Sequence, residues 1–410
     1  MKPEVVNHKN FNLNTNLISK NCLSIISKLH RKGFQAYIVG GGVRDLIQKL
    51  DPKDFDIVTN CEPGQIRKIF KNSRIIGRRF KLVHITFPDE IVETTTFRSD
   101  SKDNEGSIEV NEKGRILRDN SWGTQEEDVK RRDFKINSLY YDPFKGEIID
   151  YFGGIKDLGN KNVTFIGDPE KRILEDPVRI LRAIRFAAKL NFSIEKSAKK
   201  IILEQKHHLY EISPARIYEE VLKLFLSGHA EMSYKILNEY KVFEILFPHV
   251  SDVNKEFEDF FITAFKETDR RYKVGKKLNP GFIFALLLWP KIFKKSNISK
   301  NINFRNFYQS ISEVTRKQQV ITSVPKRFTS FIKDVWMHQP RFQRTGRKTL
   351  RFSNNLRFRA AFDFFLLRHS IEPNLKNDIE WWTEFRTANY DKKIRLLNTR
   401  KKKNARRQNS

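Results

Sequence analysis

Residues 38–59, IVGGGVRDLIQKLDPKDFDIVT, constrain this chain more than any other stretch. They read as a strand at Tyr37–Val39, three glycines, a short helix beginning near Val43, a turn at Asp51-Pro52 and a second strand from Asp54. The glycines leave backbone N–H groups open to an approaching anion, with no side chain in the way. Arg44 falls in the first turn of the helix, where the N-terminus already favours negative charge. Asp54 and Asp56 are two apart on a strand, so both carboxylates share one face while Phe55 and Ile57 point to the other. A glycine bend followed by two like-facing carboxylates can hold a nucleoside triphosphate through divalent metal, the outline of a nucleotidyl-transfer site. A Gly-Gly turn alone is usually only a turn, and an Asp-x-Asp on a strand edge is usually a solvated face. Here the carboxylates alternate with apolar residues and follow the bend after one helix and one turn, and that combination carries the reading.

A chain of 410 residues exceeds one compact core, so two or three domains are expected. The 78 Lys and Arg against 49 Asp and Glu leave a formal charge of +29, which self-repels unless a polyanion neutralises it. With 34 Phe, 11 Tyr and 5 Trp available for core and for stacking, nucleic acid is favoured over membrane as a partner. Cys22 and Cys61 have no metal-ligand spacing and no disulfide framework, which predicts a reducing compartment. The longest apolar run, Phe282–Trp289, is too short to span a bilayer, and the polar N-terminus lacks a signal-peptide core; a soluble cytoplasmic protein is expected.

The fold class expected is α+β: an N-terminal head with a small mixed sheet and helices on one side, then a long all-α body. Residues 1–15 read as a flexible lead, 16–165 as the catalytic head, 166–250 as a helical neck, 251–390 as a C-terminal helical domain and 391–410 as a disordered basic tail. Within the head, helical spacing covers 16–32, Pro63 opens a helix, and strands are predicted at Arg74–Gly77, Lys81–Phe87 and Glu90–Thr96. Residues 99–118 read as a mobile loop and DVKRRDFKINSLYY, from Asp128, as a basic helix. Later helices are predicted at 176–190, 195–206, 214–227 and 230–240, with Pro at 280, 290, 325, 340 and 373 as breaks beyond.

Three further groups are candidates. Glu93 lies on a strand that could pair beside the Asp54–Asp56 strand, as a third acid or as a plain surface carboxylate. Asp133 could close the site from below or merely pair with Arg131 or Arg132. In EDPVRILRAIRFAAKL, Glu175, Asp176, Arg179 and Arg182 share one helix face. They form either an ordinary N-terminal ion pair or a base reader. A carboxylate there could accept from an exocyclic amine while a guanidinium donates to the adjacent ring nitrogen, an order offered by adenine and cytosine and reversed in guanine and uracil. His84 reads as a core-edge histidine and His207-His208 as a helix end.

Gly40-Gly41-x-Val43-Arg44-Asp45, Asp54-Phe-Asp56, Arg131-Arg132-Asp133 with Asn137, and Glu175-Asp176-x-x-Arg179 resemble, in order, the motifs of class II nucleotidyltransferases, the bacterial poly(A) polymerases and tRNA CCA-adding enzymes. The likeness covers roughly residues 35–250. It implies that Asp54 and Asp56 bind two catalytic Mg²⁺ ions, that Gly41, Arg44, Arg179 and Arg182 contact the nucleotide, and that Asp133 is the third catalytic acid in preference to Glu93. The glycine bend at Gly40 and the carboxylates of Glu175 and Asp176 join the expected nucleotide site on the residue reading above. Gly42, where cysteine or alanine is commoner, is a conservative departure. IIGRRFKLVHITF, SPARIYEEVLKLFLSG and RFRAAFDFFLLR followed by Trp381-Trp382 look like the poly(A) polymerase branch. That branch implies adenylate addition to RNA 3′ ends (mRNA, small RNA, tRNA) from ATP, a role in mRNA turnover, and a monomer without membrane contact. CCA addition to tRNA is the nearer alternative, and a non-catalytic RNA-binding protein on the same fold the further one.

Overall fold

The strands that flank the glycine bend lie in the middle of a mixed sheet, and the register of that sheet decides which side chains meet. The structure, a computed structural model, describes residues 2–77, 81–99, 108–110, 116–119, 121–296, 303–343 and 348–408. It divides into two compact units, Met1–His208 and Leu209–Ser410.

The first unit contains β1 (Glu4–Asn7), β2 (Ala36–Val39), β3 (Asp56–Thr59), β4 (Ser73–Ile76), β5 (Leu82–Thr86), β6 (Ile91–Thr96), the hairpin β7–β8 (Ile108–Val110 and Ile116–Asp119), β9 (Tyr140–Asp142) and β10 (Glu147–Asp150). Eight of these form one sheet in the order β1-β10-β9-β2-β3-β6-β5-β4. Every neighbouring pair is antiparallel except β3 with β6, which is parallel. Both faces of its centre are buried. Ile38, Ile57 and Ile148 lie on one, and Val39, Val58 and Tyr140 lie on the other. The second face packs against Val129 of a helix. Residues Glu4–Asn7, read as part of a lead, form an edge strand on β10; four residues are too few to show a period. The stretch 99–118 lies largely outside the described residues, apart from the hairpin strands.

The helices of this unit are α1 (Lys20–Arg31), α2 (Gly41–Ile47), α3 (Pro63–Ile69), α4 (Gln125–Arg131), α5 (Gly154–Gly159), α6 (Pro169–Glu175), α7 (Val178–Leu190) and α8 (Lys196–Gln205). Ser19 caps α1 through the Asn21 and Cys22 amides, and Thr124 with Glu127 forms a capping box on α4. Two helices differ from expectation. DVKRRDFKINSLYY is not one helix: α4 ends at Arg131, Lys135–Asn137 make a 3-10 turn, and Tyr140–Asp142 join the sheet. Arg132 leaves the helix at φ −66, ψ 160, and its guanidinium turns back to Asp128. Likewise Glu175 ends α6, and Asp176 is extended at φ −152, ψ 92 before α7 begins. Pro177 forces that break, because its ring disfavours a helical residue before it.

The second unit is helical throughout its described residues: α9 (Pro214–Phe225), α10 (Ala230–Glu239), α11 (Phe243–Leu246), α12 (Glu258–Lys273), α13 (Pro280–Ser296), α14 (Phe304–Ile321), α15 (Lys326–His338), α16 (Thr349–Ser353), α17 (Phe358–Arg368), α18 (Lys376–Thr387) and α19 (Tyr390–Gln408). Pro290 does not break α13; it lies inside it, on a run buried from Ile283 to Pro290. Its missing N–H is outweighed by that burial. Residues 390–408, expected as disordered tail, are helical, with no Gly or Pro among them. Leu397 is buried beside Trp382 and Phe385, and the Arg400 guanidinium lies 4.4 Å over Trp381.

Candidate active site

The glycine bend follows β2. Gly40 takes φ 76, ψ −127, a conformation that L side chains rarely adopt, and no side chain caps the amides that follow it. A β-carbon on Gly40 would lie 3.7 Å from Nη1 of Arg132, so a cation faces the bend. Arg132 is fixed there by its other nitrogens: Nε and Nη2 donate to Asp128, and Nε also to the Tyr140 hydroxyl at 3.2 Å.

Asp56 opens β3, with Val39 of β2 opposite it; Asp54 lies exposed two residues earlier and Phe55 is buried between them. In the parallel pair Ile57 stands opposite Thr94, so Asp56 stands opposite Glu93 on the same face. Burial, then the charges of Asp54 and Glu93, push the Asp56 carboxyl up to about 6, against the pull of Arg132. Among the described residues no side chain hydrogen-bonds or ion-pairs with Asp54 or Asp56. Glu93 meets His84 Nε2 at 3.2 Å. Two adjacent carboxylates, one of them desolvated and neither directly bonded to a cationic side chain among the described residues, fit a hard divalent cation. Among the described residues no group of three or more His, Cys, Asp or Glu could hold an ion, so the remaining donors would come from phosphates and water.

Gly42 is tighter than its conservative appearance in the sequence. A β-carbon there would fall 2.8 Å from Cδ1 of Phe55 and 3.2 Å from the Asp54 carbonyl oxygen. Phe55 therefore seats on a bare Cα, tying the bend to the residue between the two carboxylates.

A second polar chain runs behind the bend. Lys189 of α7 donates to Asp45 Oδ2 (2.9 Å), and Asp45 Oδ1 takes Nε and Nη2 of Arg44. Arg44 Nη1 donates to Asn137 Oδ1 (2.5 Å), and Asn137 Nδ2 donates to Asp133 Oδ1 (3.3 Å). Arg182 of α7 closes the chain on Asp133 Oδ2 through Nε (2.6 Å) and Nη2 (2.5 Å). Arg44 is thus buried with its guanidinium engaged, and Asp133 pairs with Arg182, not with Arg131 or Arg132. Burial alone would raise the Asp133 carboxyl, but Arg182 and the Asn137 amide hold it below its ordinary value.

At the α6–α7 break, Arg179 Nη1 donates to Glu175 Oε2 (2.8 Å) and to the Arg172 carbonyl (2.6 Å). Arg172 also donates to Glu175, and Nη2 reaches the carbonyls of Arg131 and Arg132. Glu175 is held below the usual carboxylate range because these arginine contacts outweigh its burial. Asp176 is off the helix and accepts from the Val178 amide at 3.3 Å. Sequence reasoning assigned no role to Arg132, Arg172 or Lys189. Only Arg132 had a signal, its place in the RRD run.

Glycine bend, neighbouring carboxylates on a mixed sheet and a helical arginine pair behind them define the class, a nucleotidyltransferase. Family models agree: the Poly A polymerase head domain matches residues 36–164, the probable RNA and SrmB-binding site of polymerase A matches 191–253, and the polymerase A arginine-rich C-terminus matches 300–410. The chain belongs to the poly(A) polymerase I family. It is 40% identical to Poly(A) polymerase I of Haemophilus influenzae over 407 residues, covering 96% of this chain and 90% of that one. With Poly(A) polymerase I of Salmonella typhi the identity is 39%, over 93% and 85%. A CCA-adding enzyme of Lactobacillus helveticus is 36% identical over only 52% of each chain. The solved structure of a CCA-adding enzyme, apo form II, shares the fold at TM-score 0.65 and 18% identity, over 95% of this chain and 89% of that one.

Proposed function

We propose that this chain adds adenylate residues from ATP to RNA 3′ ends without a template, releasing pyrophosphate. End-to-end likeness to Poly(A) polymerase I, with Asp54 and Asp56 intact beside the glycine bend, carries the reading. We take Mg²⁺ as the ion, two per site, with Asp54 and Asp56 as its ligands. When bound it supplies charge neutralisation for the leaving pyrophosphate and a more acidic attacking hydroxyl. The Gly41 amide, with Arg132, holds the triphosphate for in-line attack, while the Gly40 amide is taken by the Leu139 carbonyl (3.3 Å) and shapes the bend; Arg44 braces the helix behind it. Asp176 and Arg179 read the amine edge of the base; Glu175 and Arg172 hold Arg179 in place. Asp133 anchors Arg182 and hence α7. Glu93 enlarges the negative field at Asp56.

In this reading residues 16–165 are the catalytic head, 166–250 a neck and 251–390 an RNA-binding body. The protein works in RNA turnover as a cytoplasmic monomer. No described helix is long and apolar enough to cross a membrane.

Each nucleoside triphosphate, offered singly with a short generic RNA and with tRNA lacking its 3′ end, tests the reading. A long A tract on either RNA from ATP alone is expected. Ordered C, C, A on the tRNA alone would make it a CCA-adding enzyme, and no incorporation at all a non-catalytic RNA binder. Asp54→Ala should abolish transfer while leaving the fold and RNA binding in place.

A further inference from the structure

Outside the head, the second unit carries a cavity of about 240 Å³ bounded by residues of α12, α13, α15 and α17. That is below the ~300–1,000 Å³ of pockets for drug-sized ligands and leaves room for one planar base. Its apolar lining includes Phe282, Ile283, Phe331 and Ala360, and its edge carries Leu356, 87% exposed. Five ionisable side chains line it as well. The two acids are already neutralised: Glu267 is bound by Arg270 and Arg271, and Asp363 by Arg271 at 3.0 Å. The remaining two cations, Lys277 and Arg359, are exposed and have no hydrogen-bond or ion-pair partner among the described residues. Residues 209–410 hold 40 Lys and Arg against 20 Asp and Glu, a net +20 of the chain's +29.

We propose that this cavity takes a single unpaired nucleotide of an RNA strand, its base among Phe282, Ile283, Phe331 and Ala360 and its flanking phosphates on Lys277 and Arg359. An apolar cleft edged by unpaired cations matches the two faces of a single-stranded nucleotide, an aromatic plane and a charged backbone. A free nucleoside triphosphate fits less well, because it would crowd its charge onto only two unpaired cations. The inference rests on the reading of RNA as substrate but assigns a site that the adenylyl-transfer chemistry does not require.

The test uses the full chain without Mg²⁺ and two fluorescein-labelled RNAs of equal length, oligoadenylate and its abasic backbone, followed by anisotropy. The parent should prefer the base-bearing strand by about tenfold or more. Ala360→Trp, which fills the cavity, should erase that preference and leave abasic binding as it was. Lys277→Glu with Arg359→Glu, both at exposed positions, should weaken both strands and lower the salt slope by about 1.4, at ~0.7 per phosphate. A parent without base preference, a folded Ala360→Trp that keeps it, or an unchanged slope in the double variant would each overturn the site. If Ala360→Trp lost an equivalent of bound ATP, the cavity would belong to free nucleotide and the proposal would fail. Adenylate incorporation is measured separately, so loss of the enzymatic reading and loss of this site are distinct results.

Discussion

Phe55 is the one side chain between the carboxylates of Asp54 and Asp56, and its ring rests on Gly42 with no space for another carbon. Gly42→Ala should therefore act on the site through Phe55. Overpacking of this kind costs about 1–3 kcal/mol, and the backbone that yields bears Asp54 and Asp56. The expected result is a kcat lowered by about tenfold or more and a raised Mg²⁺ requirement, with RNA affinity unchanged. Phe55→Leu in the same chain should restore much of the rate by making room for the methyl. Absence of rescue would leave Gly42 as plain helix packing. Asp133 supports a pH prediction. Arg182 holds its carboxyl below the ordinary 3.8, so near pH 4 the folded chain binds fewer protons than the unfolded one. The resulting stabilisation is complete above that value and is lost as pH falls through the folded one. Asp133→Asn removes it and takes one carboxylate from Arg182. The variant should be less stable by about 1–3 kcal/mol at pH 6–7, with the gap closing below pH 4, as urea midpoints across pH 3–7 would show.

Helices α6 and α7 and the break between them carry every side chain the proposal gives to the base, and Arg172 is the clasp between α6 and the backbone at Arg131 and Arg132. Arg172→Ala removes the donor to those carbonyls and one of the two arginines that hold Glu175, so the Glu175–Arg179 pair is held less firmly. KM for ATP should rise about five- to tenfold with a small drop in Tm; an unchanged KM would separate the clasp from base reading. These elements also show what a sequence can disclose. Helices α8, α9 and α10 follow the predicted spans within about two residues, because amphipathic period and Pro or Gly boundaries are written locally. The glycine bend and the two aspartates were legible for the same reason: they are contiguous. The start of α7 was likewise legible in Pro177, but α6 before it was not foreseen, so Glu175 was placed on the face of α7. What stayed hidden depends on the sheet order. The pairing of Glu93's strand beside that of Asp54 and Asp56 was foreseen, though not its parallel register, whereas Arg44 meets Asn137 from 93 residues away and Arg182 meets Asp133 from 49. No periodicity records such separations.

For the molecule as a whole, the charge of +29 is unevenly placed. Residues 209–410 hold +20 of the +29, and five of those charges, Lys401, Lys402, Lys403, Arg406 and Arg407, fall in the last ten residues. They lie in the last turns of helix α19, whose earlier half belongs to the core, since Leu397 is buried and Arg400 is bound to Asp378 and stacked on Trp381. The two halves should separate under truncation. Removing 401–410 should leave Tm within a degree or two while lowering the slope of log affinity for single-stranded RNA against log salt by up to about 3.5, at ~0.7 per phosphate released. Removing everything from Tyr390 should instead lower Tm sharply, because Trp381, Phe385 and Asp378 lose their cover. RNA affinity of the full chain should fall by at least about a hundredfold between 50 and 200 mM salt. Binding that held at high salt would mean that bases and shape, not phosphate charge, dominate recognition. A tail truncation without effect on the slope would place the phosphate contacts within the helices before residue 401.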